Sequence, residues 1–264
     1  MALAARQQTN AAMSSIDEKL RDELEALKKD GLTLLVPYGE YQEALKQNES
    51  AVLPQLATWQ YEVWYTKGLD LPVFCAIDAA DNLWVTSAFN SRVLEYKPGA
   101  TKPSTVITNG VTDPHGIAFD QSGNMYVSNY LGNYESSVAV FAPGHKSPSR
   151  TITDGLTTAA GIAVDAKGTL YVANEDGCNV EEYLPGEDQP YQEITDDIDG
   201  PTGLTMGKNG WLYVTNTGNQ TCQDNGPWPV ILEFSPGSLK PSHREVSEGL
   251  HAPFGSAYDP PLLP

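Results

Sequence analysis

The sequence predicts an all-β fold: a single β-propeller of four-stranded blades with an N-terminal helix in front of it. Three observations point there. A strand–turn–strand pattern recurs at a period of roughly 42–52 residues, in the range of propeller blades. Each recurrence carries turn residues at the same two places. The composition also fits, since charged residues are only 19% of the chain while 23 Gly and 19 Pro supply many turns.

Four units align. They run Val73-Phe-Cys-Ala-Ile-Asp-Ala-Ala-Asp-Asn-Leu-Trp-Val-Thr-Ser87, His115-Gly-Ile-Ala-Phe-Asp-Gln-Ser-Gly-Asn-Met-Tyr-Val-Ser-Asn129, Ala160-Gly-Ile-Ala-Val-Asp-Ala-Lys-Gly-Thr-Leu-Tyr-Val-Ala-Asn174 and Thr202-Gly-Leu-Thr-Met-Gly-Lys-Asn-Gly-Trp-Leu-Tyr-Val-Thr-Asn216. A fifth starts at Phe254-Gly-Ser-Ala-Tyr-Asp259 and stops. The first strand of each unit is mainly apolar, as in Gly116-Ile-Ala-Phe119, which fits a strand buried on both faces. Asp-x-x-Gly then supplies a tight turn, with Gly free to take a positive φ. A third strand ends in an aromatic residue, one spacer and Pro-Gly: Tyr96 to Gly99, Phe141 to Gly144, Tyr183 to Gly186, Phe234 to Gly237. Proline cannot donate to a strand ladder, so the strand stops there. A short fourth strand follows, such as Thr105-Val-Ile-Thr108 or Arg150-Thr-Ile-Thr153. One such sheet cannot bury both its faces, whereas radial stacking hides them and leaves only short edges.

These residues resemble the NHL-repeat family of β-propellers, in particular bacterial proteins whose blades read Gly-Ile-Ala-x-Asp-x-x-Gly-x-Leu-Tyr-Val-Ala-Asn. The resemblance covers roughly Pro72 to Asp259. It implies the fold and no single activity, because propellers host binders, lyases and hydrolases alike.

At the chain ends, Ser15-Ile-Asp-Glu18 forms a capping box before Ile16, Leu20, Leu24 and Leu27 at helical spacing. Residues 1–31 therefore read as a helical arm, packed on the propeller or used to assemble copies of the chain. The propeller would occupy 32–264, closed by strands from 32–71 together with 253–264. Counting that composite gives five blades, or six if the first seventy residues hold more strand.

A formal net charge of −18, with 16 Lys and Arg spread through the chain, makes DNA, RNA and anionic membranes poor candidates for partners, since phosphate binding calls for a basic patch. No apolar run reaches the roughly 18–20 residues of a membrane span. The N-terminus lacks the basic and apolar segments of a signal peptide, while the bacterial resemblance leans toward export. An extracellular protein whose export signal is absent from this chain is the expectation. Among three cysteines, Cys75 sits in an apolar run and reads as core. Cys178 and Cys222 fall in corresponding loops of successive repeats and form a candidate disulfide pair.

Because neighbouring strands are antiparallel, residues before the first strand and after the second share one face of a propeller. That face collects His115, Asn129, Tyr130, Asn174, Glu175, Asp176 and Asn216, with Trp228 on the longest loop. Two readings of the asparagines stay open: each bonds its own loop, or together with Glu175 and Asp176 they bind a ligand or cation. Gluconolactonase-like propellers hold a catalytic divalent metal with an Asn or Asp just before the Gly of the first strand. Here His115, Ala160, Thr202 and Phe254 stand instead, which argues against a lactonase. Streptogramin-lyase-like propellers use a histidine base, for which His115 is the one candidate, with Glu175 nearby. No phosphate loop, Gly-x-Ser-x-Gly elbow or His-Glu-x-x-His motif occurs. The expectation is a non-enzymatic module that binds a protein or small-molecule ligand through its loop face. The alternatives are a metal-dependent lyase or hydrolase and a structural subunit assembling through its helix. No cofactor is predicted, beyond room for a divalent cation such as calcium.

Overall fold

A computed structural model describes residues 68–133, 135–207, 209–218 and 229–245. The expected helical arm, the closing segments at 32–67 and 253–264 and the short fifth repeat lie outside the described residues. Leu69–Pro98 and Pro103–Pro264 make one compact unit, while Met1–Gly68 and Gly99–Lys102 group separately. The larger unit is all-β.

Among the described residues, sixteen strands form four sheets, each a meander of four antiparallel strands. The first blade holds β1 (Pro72–Ile77), β2 (Leu83–Ser87), β3 (Arg92–Tyr96) and β4 (Thr105–Ile107). The second holds β5 (Pro114–Phe119), β6 (Met125–Gly132), β7 (Glu135–Phe141) and β8 (Arg150–Ile152). The third holds β9 (Ala159–Val164), β10 (Leu170–Asn174), β11 (Asn179–Tyr183) and β12 (Gln192–Ile194). The fourth holds β13 (Pro201–Met206), β14 (Leu212–Asn216), β15 (Val230–Phe234) and β16 (His243–Glu245). The first strands β1, β5, β9 and β13 lie side by side, so the blades stack in a propeller arrangement. The expectation of five or six blades gives way to four among the described residues. The segments from which a fifth blade was to be composed lie outside them.

Each local motif has a visible cause. Asp78, Asp120 and Asp165 each accept, through Oδ1, the amides two and four residues on, at 2.8–3.0 Å. That Asx geometry makes the turn into the second strand. Asp78 Oδ2 also takes bonds from Asn82 Nδ2 and Trp84 Nε1, both at 2.8 Å. Burial pushes its carboxyl up, yet these donors outweigh burial and bring it down to about 2. In the fourth blade Gly207 replaces the aspartate, and Asn209 Oδ1 accepts the Trp211 amide instead. The aromatic residue before each Pro-Gly is an anchor: Tyr96, Phe141, Tyr183 and Phe234 are all fully buried.

Hydrophobic clusters fill the spaces between neighbouring blades rather than within single sheets. β5, β9 and β13 are largely buried, as an apolar first strand should be. β1 is not. Pro72, Cys75 and Ile77 are exposed, which corrects the core reading of Cys75. Among the described residues, β1 has a neighbouring blade on one side only.

Contact between the inner strands is tight enough to exclude side chains. A Cβ on Gly116 would lie 2.5 Å from the Ala160 carbonyl oxygen, and one on Gly161 would lie 2.6 Å from that of Thr202. A hydroxyl bridges this seam. Ser128 Oγ accepts the Gly116 amide at 2.6 Å and donates to the Ala160 carbonyl of the next blade at 2.5 Å. Thr86 Oγ1 does the same, accepting from Phe74 N at 3.0 Å and donating to His115 O at 2.7 Å. The strand register shifts at these points, between Pro72 and Cys75 and between Pro114 and Ile117. In effect the hydroxyl replaces a rung of the ladder. Thr215 Oγ1 holds the same register position, fully buried, with no hydrogen-bond partner among the described residues.

Removing these hydroxyls should therefore have opposite consequences. Ser128→Ala leaves a buried amide and carbonyl unpaired and is expected to destabilise the fold by about 1–3 kcal/mol. Thr215→Val removes a hydroxyl that has no partner among the described residues and is expected to be neutral or stabilising. Urea unfolding of both variants, followed by tryptophan fluorescence, checks the contrast.

Candidate functional site

The loop end of the blades is formed by the connections from each fourth strand to the next first strand, and by the loops between second and third strands. The asparagines predicted there are all buried. Asn129 Oδ1 accepts the Thr112 amide at 3.0 Å, and its Nδ2 donates to Gly110 O at 3.1 Å. Asn174 accepts from Thr157 N at 2.8 Å and Thr158 N at 3.0 Å, and donates to Gly155 O at 3.0 Å. Asn216 accepts from Asp199 N at 3.0 Å and donates to Asp197 O at 2.8 Å. Each amide thus clasps the chain as it crosses from one blade to the next. In the first blade Ser87 takes this place, with its hydroxyl bonded to both Asp70 N and Asp70 O. Of the two readings left open by the sequence, the geometry matches the one in which each asparagine bonds its own loop.

His115 stands at the start of β5, half-buried. Its Nε2 lies 3.8 Å from Asp113 Oδ1, and its ring centroid is 6.3 Å from that of Tyr130. Tyr130 N in turn donates to Asp113 O at 3.2 Å. Burial pulls the imidazole below the ordinary histidine value of 6.5, against the Asp113 carboxylate, which pushes it up. It is therefore neutral at physiological pH and able to accept a proton. Glu175 and Asp176 follow β10. Burial, and then the neighbouring Asp176, push the Glu175 carboxyl up. Asp176 Oδ2 accepts from Thr158 Oγ1 at 2.6 Å. No hydrogen bond or ion pair joins Glu175 to His115, so the acid–base couple considered from sequence is not assembled. Cys178, at φ 60, is disulfide-bonded, and Cys75 is a free thiol. Cys222 and Trp228 lie outside the described residues.

Among the described residues, no three His, Cys, Asp or Glu side chains converge to hold a metal ion. Nor is any helix there long and apolar enough to cross a membrane. A hollow of about 460 Å³ opens at the opposite, turn end between the second and third blades, lined by Asp120, Ser122, Tyr126, Arg150 and Lys167. Arg150 is held there by Glu187 O at 2.8 Å and by the Asp188 carboxylate.

Sequence reading missed two features of the loop end. The hydroxyls of Thr86 and Ser128 were visible as small polar residues directly before Ser87 and Asn129. The carboxylate pair of the third blade was not. Asn174 Nδ2 donates to Asn179 Oδ1 at 3.0 Å, and Asn179 Nδ2 donates to Glu181 at 2.8 Å and Glu193 at 2.9 Å. Glu181 and Glu193 face each other directly across β11 and β12. The other blades put Leu94–Val106, Ala139–Thr151 and Leu232–Arg244 in this register.

No family model matches the chain, and no curated protein does. Solved structures do. A chain of hydrazine synthase from Kuenenia stuttgartiensis is similar at 18% identity and a TM-score of 0.56, over 71% of this chain and 52% of that one. A functionally unknown protein from Desulfotomaculum acetoxidans is similar at 17% identity and a TM-score of 0.54, over 72% of this chain and 60% of its own. A chain of a nidogen/laminin complex is similar at 17% identity and a TM-score of 0.59, over 72% and 68%. The likeness shows the fold alone. This chain spans about half the length of the hydrazine synthase chain it matches.

Two titrations test the electrostatics. By NMR the His115 ring should titrate below 6.5, and Asp113→Asn should lower it further, since that carboxylate raises it. For Glu181, burial raises the carboxyl, with Glu193 and Asp154 adding to the rise against the Asn179 bond. The ionised form is then the less stable one in the fold, so this group favours folding below its ordinary 4.5 and costs stability as pH rises. Glu181→Gln should raise the melting temperature at neutral pH, and the gain should fade as pH falls through 4.5. Thermal melts across that range check the sign.

Proposed function

We propose that this propeller is a non-catalytic binding module of the NHL-repeat type, which engages a protein or ligand through its loop end. One observation carries the reading. The regular polar residues of that end are occupied with structure, and what faces solvent beside them is a set of apolar side chains: Phe89 at 73% exposure, Leu71 at 47% and Leu131 at 45%. Apolar groups left in water at the loop end of a rigid scaffold suit an interface better than a reaction centre. That the nidogen/laminin complex contains a chain of the same fold is in keeping with it.

The disulfide at Cys178 adds a compartment to the proposal. Cys75 is free, so its partner is read as Cys222, the candidate pair of the sequence, in a protein that works outside the reducing cytosol. Peptide mapping without reductant should recover the two cysteines in one cross-linked fragment.

The binding reading is tested with the full-length protein immobilised in extract from its source organism. A partner should be retained by the parent and by Asp81→Asn, in a turn at the other end. Tyr130→Ala combined with Leu131→Ser should release it. Turnover of lactones or cyclic esters with an added divalent cation, abolished by His115→Ala, would instead establish the lyase or hydrolase alternative.

A further inference from the structure

The two ends of the blades differ in charge as well as in apolar exposure. At the loop end stand Asp70, Asp113, Asp154, Glu175, Asp176 and Asp196, all exposed or half-buried. Arg92 is the one lysine or arginine there among the described residues. The bases Lys97, Lys146, Arg150, Lys167 and Lys240 lie in or beside the turns of the other end, where Asp81, Asp120, Asp165, Glu187 and Asp188 offset them. The negative charge of the described propeller is therefore gathered on the face that also exposes Phe89, Leu71 and Leu131.

Those apolar residues belong to one continuous stretch of backbone contacts across the first two blades. Ala88 N donates to Leu71 O at 2.9 Å, and Phe89 N donates to Asp70 O at 3.2 Å. Asp113 N then donates to Ser91 Oγ at 3.2 Å, and Tyr130 N to Asp113 O at 3.2 Å, one residue before Leu131. Leu71, Ser91 and Asp113 hold φ of 53, 51 and 41°. This is left-handed backbone that leucine in particular rarely adopts, so the surrounding bonds hold the stretch in a fixed shape. The turn end exposes Ile77, Leu184, Tyr191 and Leu239, spread over three blades.

We infer that the occupant of the loop end is a basic polypeptide segment carrying apolar side chains. The inference rests on the binding reading above and narrows it to one chemistry. A single metal ion would need several converging ligands, and among the described residues no three His, Cys, Asp or Glu side chains converge. Spaced fixed charges around an apolar strip match a chain that alternates lysine or arginine with leucine or phenylalanine. The apolar anchors supply affinity, and the carboxylates supply steering and orientation. A nucleic acid has the wrong sign for this face.

The test titrates the full chain with three labelled synthetic peptides of equal length: lysine–leucine, lysine–serine and glutamate–leucine. The lysine–leucine peptide should bind best. Phe89→Ser combined with Leu131→Ser should weaken it at least about tenfold, and Ile77→Ser with Leu184→Ser at the turn end should leave it unchanged. Asp70→Asn with Asp176→Asn should lessen the loss seen between about 0.1 and about 1 M salt, where the screening length falls from about 10 to about 3 Å. Circular dichroism of each variant checks folding, and all substituted side chains are exposed or nearly so. Equal binding of the lysine–serine or glutamate–leucine peptide, or indifference to the loop-end changes, would overturn the inference. If a natural partner is still lost on Tyr130→Ala with Leu131→Ser, that outcome leaves the binding module standing and refutes only its basic partner.

Discussion

Everything in this propeller is arranged around the closeness of its inner strands. Gly116 and Gly161 let one backbone rest against the next at a distance that admits no Cβ. Such an approach would leave amides and carbonyls facing each other out of register. The hydroxyls of Thr86 and Ser128 resolve this by bonding one amide in their own blade and one carbonyl in the next. In the third blade the equivalent residue is Ala173, which has no hydroxyl, and Gly161 lies against the backbone of Thr202 to Leu204 in the fourth. Ser136 reinforces the preceding seam, accepting from Ala159 N and donating to Thr157 O. Blade joins are therefore chemically unequal, although the repeats look alike.

This seam also governs what the loop end can do. Because each inner strand must hand the chain on at a fixed place, the residues best placed to face a ligand are used to hold the crossings. The side-chain oxygen and nitrogen of Asn129, Asn174 and Asn216 are each bonded into a crossing. What remains toward solvent is the set of side chains outside these clasps, among them the imidazole of His115, the phenol of Tyr130, and the exposed carboxylates and apolar residues beside them.

The third blade breaks the repeat, and it does so beside one of these crossings. An opposed glutamate pair replaces a packed pair and is tied through Asn179 to Asn174 and the loop end. Like charges directly across a strand pair are unfavourable. Their shared amide donor reduces the repulsion without removing it, and Glu181 remains a carboxyl whose ionisation opposes the fold.

The sequence by itself determined the blade. Period, turn residues and the aromatic-x-Pro-Gly ending are local signals, each acting through neighbours a few residues away, so Tyr96, Phe141, Tyr183 and Phe234 could be read as anchors before any coordinates. Candidate site residues were legible as positions, since antiparallel order alone sends His115, Asn174 and Asp176 to one end. The tertiary structure decided the rest. The exposure of Cys75 and the missing hydrogen bond between Glu175 and His115 depend on which strands meet. So does the division of charge between the two ends, because residues far apart in the chain share a surface only once the blades stack. Repeats encode what each unit does to itself; what a unit meets across the seam is set by packing between units, and no local pattern records it.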